Sequence, residues 1–276
     1  MTRISRRGWL FAAAGVAGAG VLARACGEPA RDVRLTRHDV ALRGLPAAFD
    51  GLRIAQLTDL HLPARANADA GRRALALLAA ERPDVVLHTG DMLETLDAAD
   101  ALVALARAAR GTLATFATLG NWEWYCGCTP PVARDLWAGA GVQLLDNECG
   151  WVERGGERLA IVGIDDPVRG RPDVARATAA SGDAPSVVAV HAPGLAASLP
   201  ARAAPSLVLS GHTHGGQVRL PGLPAFTPSG SGPFVSGWYG VPAGSLYVSR
   251  GVGTSSVRAR LNCPAELPVF TLRRGG

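Results

Sequence analysis

The sequence predicts an α/β fold, and three observations support this interpretation. Short apolar runs recur along the chain, alanine- and leucine-rich stretches with helical spacing lie between them, and polar turn residues follow the runs. Short runs rich in leucine and β-branched residues are typical of strands buried in a sheet. Leucines three residues apart are typical of an amphipathic helix that packs on such a sheet.

The predicted elements alternate between strand and helix up to residue 210. A first strand is predicted over Arg34–Leu42, and helices over Ala70–Arg82 and Ala98–Arg110. The apolar runs predicted as strands are Leu52–Leu57, Val85–Leu87, Leu113–Leu119, Leu159–Ile164, Val187–Val190 and Leu207–Leu209. Beyond residue 210 no helix is predicted, and the expected strands are Gln217–Leu220, Val235–Tyr239, Ser245–Ser249 and Leu267–Leu272.

Composition narrows the classes of function. The 276 residues are 48% hydrophobic and 18% charged, which suits one globular domain with a sizeable core. All 28 basic residues are arginines, so lysine-dependent chemistry at a Schiff base or a phosphate loop is excluded. Residues 1–25 hold four arginines and no acid, which leaves 24 basic against 23 acidic residues for the remainder. We therefore expect no nucleic-acid partner.

The amino-terminal segment has the pattern of an export signal. An arginine pair at residues 6–7 directly precedes an apolar run over residues 11–22, which resembles a twin-arginine signal and is short for a membrane span. We predict a signal peptide over residues 1–25, a linker over 26–33, and a domain over 34–274.

The fate of this segment has alternatives. A small-x-small site precedes Cys26, so cleavage is expected, but lipidation of Cys26 or an uncleaved anchor would have a similar outcome. Cleavage, lipidation and an anchor each place the domain in the periplasm or on the outer face of the cytoplasmic membrane, because the arginine-rich end of the segment stays on the cytoplasmic side.

Four cysteines follow Cys26, and an oxidising compartment would permit disulfides between them. They are Cys126, Cys128, Cys149 and Cys263. A structural zinc ion at Cys126 and Cys128 is an alternative. Because one intervening residue is shorter than the usual C-x2-C knuckle, disulfides or free thiols are favoured.

Metal-binding residue types follow five of the predicted strands. They are Asp59, His61, Asp91, Asn121, His191, His212 and His214. Ligands of α/β sheets bind beyond the carboxyl ends of the strands, so these side chains are predicted to converge on one site. Asp59 and His61 lie two residues apart and can project to the same side in extended backbone, as can His212 and His214. The remaining histidines, His38 and His88, are predicted within strands and interpreted as structural.

Seven candidate ligands are too many for one tetrahedral ion and suit two ions that share a carboxylate. A mixed nitrogen and oxygen set suits manganese, iron, zinc or cobalt. Two metals about 3.5 to 4 Å apart stabilise both oxygens of an in-line displacement at phosphorus and supply hydroxide at neutral pH. The predicted chemistry is therefore phosphoester hydrolysis.

The motifs D-x-H, G-D, G-N, H and G-H-x-H, in this order, resemble those of the calcineurin-like metallophosphoesterase superfamily over residues 34–273. Segments 211–217, 249–253 and 262–264 are similar to a bacterial envelope branch, which includes membrane-associated phosphodiesterases and UDP-2,3-diacylglucosamine hydrolases. The resemblance implies a four-layer α/β/β/α sandwich of two mixed sheets, with a dinuclear metal site at one edge.

The resemblance also implies residue roles. One ion would be held by Asp59, His61, Asp91 and His214, and the other by Asp91, Asn121, His191 and His212, with Asp91 bridging. The candidate catalytic residues are Asp91, Asn121 and His212, and the candidate substrate contacts are Arg250 and Trp122.

One residue departs from the family's pattern. The family commonly has G-N-H-[DE], whose histidine protonates the leaving oxygen, whereas this chain has Trp122 at that position. Indole cannot supply the proton, and loss of a general acid costs about 10² to 10⁴ in rate. We therefore expect a preference for pyrophosphates or activated diesters over alkyl monoesters.

The sequence thus predicts an exported, metal-dependent phosphoesterase acting on a phosphodiester or pyrophosphate of the envelope. The expected partners are a phosphoester substrate, with lipid and nucleotide-sugar compounds as candidates, and a membrane surface; the protein is expected to be a monomer. One alternative is the lipid A precursor pyrophosphatase itself, which would need a cytoplasmic catalytic domain. Another is a non-catalytic module that binds a phosphate ligand in the same pocket.

Overall fold

The computed structural model describes residues 32–201 and 206–275, so the predicted signal peptide, Cys26 and most of the predicted linker lie outside it. Two mixed sheets of six strands each pack face to face. Helices pack on the outer face of each sheet. This arrangement confirms the predicted α/β/β/α sandwich.

The first sheet carries most of the amino-terminal strands. Its strands are β1 (Arg34–Arg43), β2 (Arg53–Leu57), β3 (Val85–Thr89), β4 (Ala114–Thr118), β5 (Gln143–Leu144) and β12 (Glu266–Gly275). Their order is β1-β12-β2-β3-β4-β5, and only the β12–β2 pair is antiparallel. Because β2, β3 and β4 are parallel, their carboxyl ends lie at one edge of the sheet.

The second sheet holds the remaining strands. They are β6 (Glu148–Arg154), β7 (Glu157–Ile164), β8 (Ser186–Val190), β9 (Ser206–Ser210), β10 (Gly237–Val241) and β11 (Gly244–Val248). Their order is β10-β11-β9-β8-β7-β6, with antiparallel pairs at the two edges and parallel strands between them.

The helices of the described residues are short and mostly cover the first sheet. They are α1 (Arg65–Glu81), α2 (Ala99–Ala108), α3 (Asn121–Tyr125), α4 (Pro130–Gly139) and α5 (Val174–Ala179). In α1 and α2, Leu78 and Leu102 are buried against the sheet, as their helical spacing predicts. Within the described residues, none of the helices has the length and apolar character needed to cross a bilayer.

Strand alternation explains the layers. In β3, Val85 and Leu87 point into the core between the sheets, whereas Val86 points toward the helices of the first sheet. In β8, Val187 enters the same inter-sheet core, while Val188 faces the outer side of the second sheet. Both faces of these strands are buried, which is why their sequences are mostly apolar.

Some predicted elements differ from the structure. The strand predicted over Gln217–Leu220 is wrong: only Val218 forms a bridge, to Leu261, because Gln217 has a left-handed φ of 47° and a turn closes between Leu220 and Leu223. Helix α1 begins five residues before the predicted one. Helices α3, α4 and α5 and strands β5 and β6 were not predicted.

The two histidines interpreted as structural lie in strands, away from the predicted ligands. His88 is fully buried in β3 and its ring contacts Trp137, and burial lowers the pKa of His88 to about 4. His38 packs against Phe270 and Tyr247 between β1 and the second sheet.

Phe270 tests the inter-sheet core. Its ring is fully buried, so Phe270→Ala is expected to lower the free energy of unfolding by about 3 to 5 kcal/mol. The matched control is Phe226→Ala, because that ring is 85% exposed and its loss should change stability by less than about 0.5 kcal/mol. Urea denaturation followed by circular dichroism measures both. Equal losses in the two variants would contradict this description of the core.

Candidate metal centre

The predicted ligands lie in loops at the carboxyl ends of strands from both sheets. Strands β2, β3 and β4 are followed by Asp59 and His61, by Asp91 and by Asn121; strands β8 and β9 are followed by His191 and by His212 and His214. The two sheets present these ends on the same side of the sandwich. The structure therefore brings all seven side chains to one place, and both sheets contribute to it.

One cluster consists of Asp59, His61 and His214, whose ligand atoms lie within 4.8 Å of one another. The Nε2 atoms of His61 and His214 are 3.0 Å apart, and Nε2 of His214 is 3.5 Å from Oδ1 of Asp59. Three ligand atoms that face one point are the number that proteins commonly supply to a catalytic metal ion, which keeps a further position open.

The second cluster consists of Asp91, His191 and His212. Nε2 of His191 is 3.1 Å from Oδ2 of Asp91 and 3.3 Å from Nδ1 of His212. The same Oδ2 atom lies 3.7 Å from Nε2 of His61 in the first cluster. Asp91 therefore lies between the two clusters, where a shared carboxylate is needed.

The donor set fits two metal ions. Asn121 is buried beside Asp91, and its buried Oδ1 atom has no hydrogen-bond partner among the described residues. A buried amide oxygen without a donor is costly unless a cation or water satisfies it. Imidazole nitrogen together with carboxylate and amide oxygen suits the metals predicted from the sequence.

Outer contacts fix the orientation of the histidine rings. The Nδ1 atom of His191 lies 2.8 Å from the carbonyl oxygen of Thr89, and Nε2 of His212 lies 2.7 Å from that of Ser229. A ring nitrogen that donates to a carbonyl leaves the opposite nitrogen with its lone pair toward the centre. His212 thus presents Nδ1, and His191 presents Nε2.

The electrostatics divide the ligands. Burial opposes the charged form of His191, but Asp91 outweighs it and raises the pKa of His191 well above its usual value, so these two side chains form a charged pair, while burial raises the pKa of Asp59. Burial and the nearby His191 lower the pKa of His212 to about 4, and burial, His61 and Arg260 hold the pKa of His214 well below its usual value. Burial opposes the charged form of Asp91, but His191 and His61 outweigh it and lower the pKa of Asp91 to about 2. At neutral pH the carboxylate is ionised, and His212 and His214 are neutral.

The backbone at the ligands is strained. Asp59, His61, Asp91, His212 and His214 all have left-handed φ angles, between 48° and 71°. Residues with a Cβ adopt this region rarely and at a cost of order 1–3 kcal/mol, and such residues concentrate at functional sites. The surrounding structure stabilises these conformations so that the side chains meet.

Glu123 is a site residue to which the sequence analysis gave no role. Its carboxylate is buried and accepts hydrogen bonds from the backbone N–H groups of Gly120, Asp91, Met92 and Leu93. These contacts join the loops after β3 and β4. Burial and the nearby Asp91 raise the pKa of Glu123 to about 7, whereas its hydrogen bonds from Gly120 and Leu93 lower it. The only indication of this role in the sequence is that Glu123 is the acidic residue that ends the segment Gly120-Asn121-Trp122-Glu123.

Trp122 lies beside the centre. Its backbone N–H donates to Oδ1 of Asp91 at 2.8 Å, and its ring packs edge-on against His61 and Tyr125. The ring forms part of the wall of a cavity of about 310 Å³ that opens onto Asp91, Asn121 and His212. The predicted substrate contact is therefore placed where it could meet a ligand.

Arg250, the other predicted substrate contact, does not reach this cavity. Its guanidinium pairs with the buried carboxylate of Glu266 through Nη2 and through Nε, which lies 2.8 Å from Oε2, and Arg250 is not among the residues that line the cavity. The arginine near the metal centre is instead Arg260, which is fully buried, donates to the carbonyls of Gly253 and Cys263, and lies 3.4 Å from Nδ1 of His214. No sequence pattern distinguished Arg260 from a surface arginine.

The described part of the chain contains four cysteines and no disulfide. Among the described residues, Cys126, Cys128, Cys149 and Cys263 form no disulfide, which agrees with one of the two predicted states. Burial raises the pKa of the Cys128 thiol to about 12, so this side chain stays protonated at neutral pH and packs in the core.

Comparison with known proteins assigns the family. The family model described as calcineurin-like phosphoesterase matches residues 52–216, which is more than half of the chain and includes all seven ligands. The chain belongs to the calcineurin-like phosphoesterase family. Members of this family use two divalent metal ions, and the two clusters supply the corresponding ligand sets. The protein is therefore a metal-dependent phosphoester hydrolase.

Relatives of this calcineurin-like phosphoesterase differ in how much of it they match. The uncharacterized metallophosphoesterase YkuE of Bacillus subtilis is 29% identical over 287 residues and covers 99% of each chain. Phosphodiesterase YaeI of Escherichia coli is 33% identical over 136 residues, 48% of each chain. The solved structure of sulfate thiohydrolase SoxB from Thermus thermophilus has a TM-score of 0.50 at 16% identity, over 83% of this chain and 57% of that one, which shows a shared fold.

Gly120 tests the position of Asp91. A Cβ atom at Gly120 would lie 2.6 Å from the backbone nitrogen of Asp91 and closer still to its Oδ1 atom. We expect Gly120→Ala to displace this carboxylate and to reduce bound metal from two ions per chain to one or none. Gly139→Ala is the control, because a Cβ there meets no atom within 4 Å. Elemental analysis of purified protein gives the stoichiometry; full occupancy in Gly120→Ala would contradict the geometry.

Proposed function

We propose that this calcineurin-like phosphoesterase is an exported enzyme that hydrolyses a phosphodiester or pyrophosphate associated with lipid or with the cell envelope. The observation that carries the proposal is the cavity beside the metal centre, because its walls combine metal ligands with apolar side chains such as Trp122 and Phe226. A phosphate bound at the ligands would leave its substituents against these apolar walls. The name of phosphodiesterase YaeI supports the diester chemistry.

The residues of this chain would prepare the site for hydrolysis. Divalent ions bound at the two clusters supply Lewis-acid polarisation of the phosphoryl group and activation of water. Asp91 lies between the clusters and is held by the Trp122 N–H. Glu123 fixes the loops that carry Asp91 and Asn121, and Thr89 and Ser229 orient the rings of His191 and His212. Such outer contacts typically contribute a factor of about 10 to 100 in metal affinity or activity.

Trp122 supports a preference for good leaving groups. Its indole ring lines the cavity at the position where the family commonly has an acidic imidazole, and indole holds no proton that it can give to a leaving oxygen. A diphosphate or an activated ester leaves as a weak base, so its departure needs little protonation. Pyrophosphates and activated diesters are therefore the substrates that this site suits.

The proposed export rests on the sequence. The arginine pair at residues 6–7 and the apolar run at 11–22 lie outside the described residues, and they support transport through a twin-arginine route. A non-catalytic binding module is the second candidate, and the absence of a histidine at Trp122 favours it.

Removing a ligand separates these candidates. Asp91→Asn and His212→Ala are expected to lower hydrolysis of bis(p-nitrophenyl) phosphate by more than about 100-fold, because each change removes a ligand of the metal centre. Asp39→Asn is the control, since this carboxylate is 70% exposed and pairs with Arg273 far from the site. Initial rates are measured on metal-loaded protein. Wild-type protein that binds two ions and hydrolyses no ester would favour the binding module.

The leaving-group preference has its own test. Wild-type protein should hydrolyse a p-nitrophenyl diester much faster than a dialkyl diester. Trp122→His should reduce the ratio of these two rates by a factor of about 10² or more, because it restores a proton donor for the poorer leaving group. Trp122→Phe is the matched control, because it keeps an aromatic wall and adds no donor. Equal wild-type rates on the two esters would overturn the preference.

A further inference from the structure

The mouth of the active-site cavity carries an unusual amount of exposed apolar surface. The structure has ten large hydrophobic residues that are exposed among those described, and half of them lie here. They are Val218, Leu220, Leu223, Phe226 and Val257. We name this set the apolar rim.

The apolar rim is one continuous feature. Val218, Phe226 and Val257 line the cavity itself, and Leu220 and Leu223 lie on the turn that joins the first two. Phe226 is 85% exposed and Leu223 is 63% exposed, so the turn presents its apolar side chains to solvent. Exposed apolar clusters bordered by polar residues mark sites of interaction with a protein or a membrane.

The loop that carries the rim is fixed to the domain. The Gln217 side chain donates to the carbonyl oxygens of Ser255 and Val257, and the Asn262 side chain donates to that of Arg219. The loop also closes over Gly216, where a Cβ atom would lie 2.7 Å from that of Ala225. Contacts at the base of the loop therefore fix it in a conformation in which the apolar side chains face solvent.

The segment that carries the rim has basic residues and no acidic ones. Residues 184–265 contain five arginines and no aspartate or glutamate, although the whole chain has 23 acidic residues. Arg219 lies within the rim loop, and Arg258 follows Val257 directly. Arg258 pairs with Glu94, while Arg219 has no ion-pair partner among the described residues. The rim segment combines exposed leucine and phenylalanine with Arg219 and has no carboxylate within residues 184–265, while the neighbouring Glu94 is neutralised by Arg258, so this surface complements an anionic lipid interface.

A second copy of the chain fits this surface less well. A symmetric pairing of the rim with itself would place Arg219 opposite arginine, with no carboxylate in residues 184–265 to neutralise either charge. An anionic bilayer accepts the apolar side chains and neutralises the arginines together.

We propose that the apolar rim and Arg219 form a docking face for an anionic phospholipid bilayer, next to the opening of the metal-centre cavity. This inference deepens the proposed function and rests on it for the identity of the chemistry, since the docked domain would take its phosphoester from the bilayer surface. Docking places the cavity mouth at the lipid headgroups, where a phosphoester substrate need not leave the membrane fully.

Hydrogen–deuterium exchange on the full chain tests the docking directly. Vesicles of phosphatidylglycerol and phosphatidylcholine are expected to slow amide exchange in residues 218–226 by about fivefold or more, because insertion of the loop excludes water. Vesicles of phosphatidylcholine alone should slow it less, since Arg219 then meets no net negative charge. Exchange near Leu113, which is 46% exposed just before β4 at the opposite end of the strands, should not change. Unchanged exchange in residues 218–226 would overturn the proposal, whatever residues 1–31 bind.

A matched pair of variants supplies the second test. The double variant Leu220→Asp, Leu223→Asp is expected to weaken partitioning onto the anionic vesicles by about tenfold or more, and Leu113→Asp to leave it unchanged. Neither leucine of the double variant lines the cavity, so hydrolysis of soluble bis(p-nitrophenyl) phosphate should stay at the wild-type rate.

The outcomes separate docking from catalysis. Vesicle protection in a protein that hydrolyses no soluble ester would leave the docking face standing and overturn the proposed function. Wild-type partitioning of the double variant, or protection of the rim by self-association without vesicles, would overturn the docking face and leave the hydrolase intact.

Discussion

The metal centre depends on the position of one buried carboxylate. Asp91 is the residue through which the two ligand clusters approach each other: its Oδ2 atom lies 3.1 Å from His191 and 3.7 Å from His61. Its Oδ1 atom accepts from the Trp122 N–H, and its own N–H donates to Glu123. A buried charge needs such partners. Burial opposes ionisation of Asp91, but the nearby His191 and His61 stabilise its charged form and lower its pKa.

The loops around Asp91 are stabilised by contacts that themselves bind no metal. Glu123 accepts four backbone N–H groups from the loops after β3 and β4, and Arg260 ties the loop at Gly253 to the residues around His214. These interactions offset the free-energy cost of the left-handed backbone conformation at five ligands. Precision at the ligands therefore comes from polar groups one contact away from them.

The sequence allowed most of the fold to be predicted, together with the residues that the structure brings into the two clusters, for a definite physical reason. Parallel strands such as Val85–Thr89 are buried on both faces and mostly apolar, and ligands follow their carboxyl ends, so the strand pattern and the candidate ligands lie next to each other in the sequence. Arg250 and Arg260 lie ten residues apart, and the sequence does not distinguish Arg260, which lies near His214, from Arg250, which pairs with Glu266, because both positions are set by tertiary packing. Similarly, Gln217–Leu220 has the composition of a strand, but a left-handed residue and a turn prevent it from pairing.

The division of each cluster between the two sheets links folding to metal uptake. Asp59 and His61 extend from the first sheet and His214 from the second, and the other cluster is divided in the same way. A chain whose sheets have not yet packed together holds only fragments of either coordination shell, so high affinity arises at the last step of folding. Ions that bind only the finished sandwich then stabilise it by mass action. For a protein exported already folded, as we propose, the ions would be selected from the pool of the compartment where the sheets come together, before the substrate is encountered.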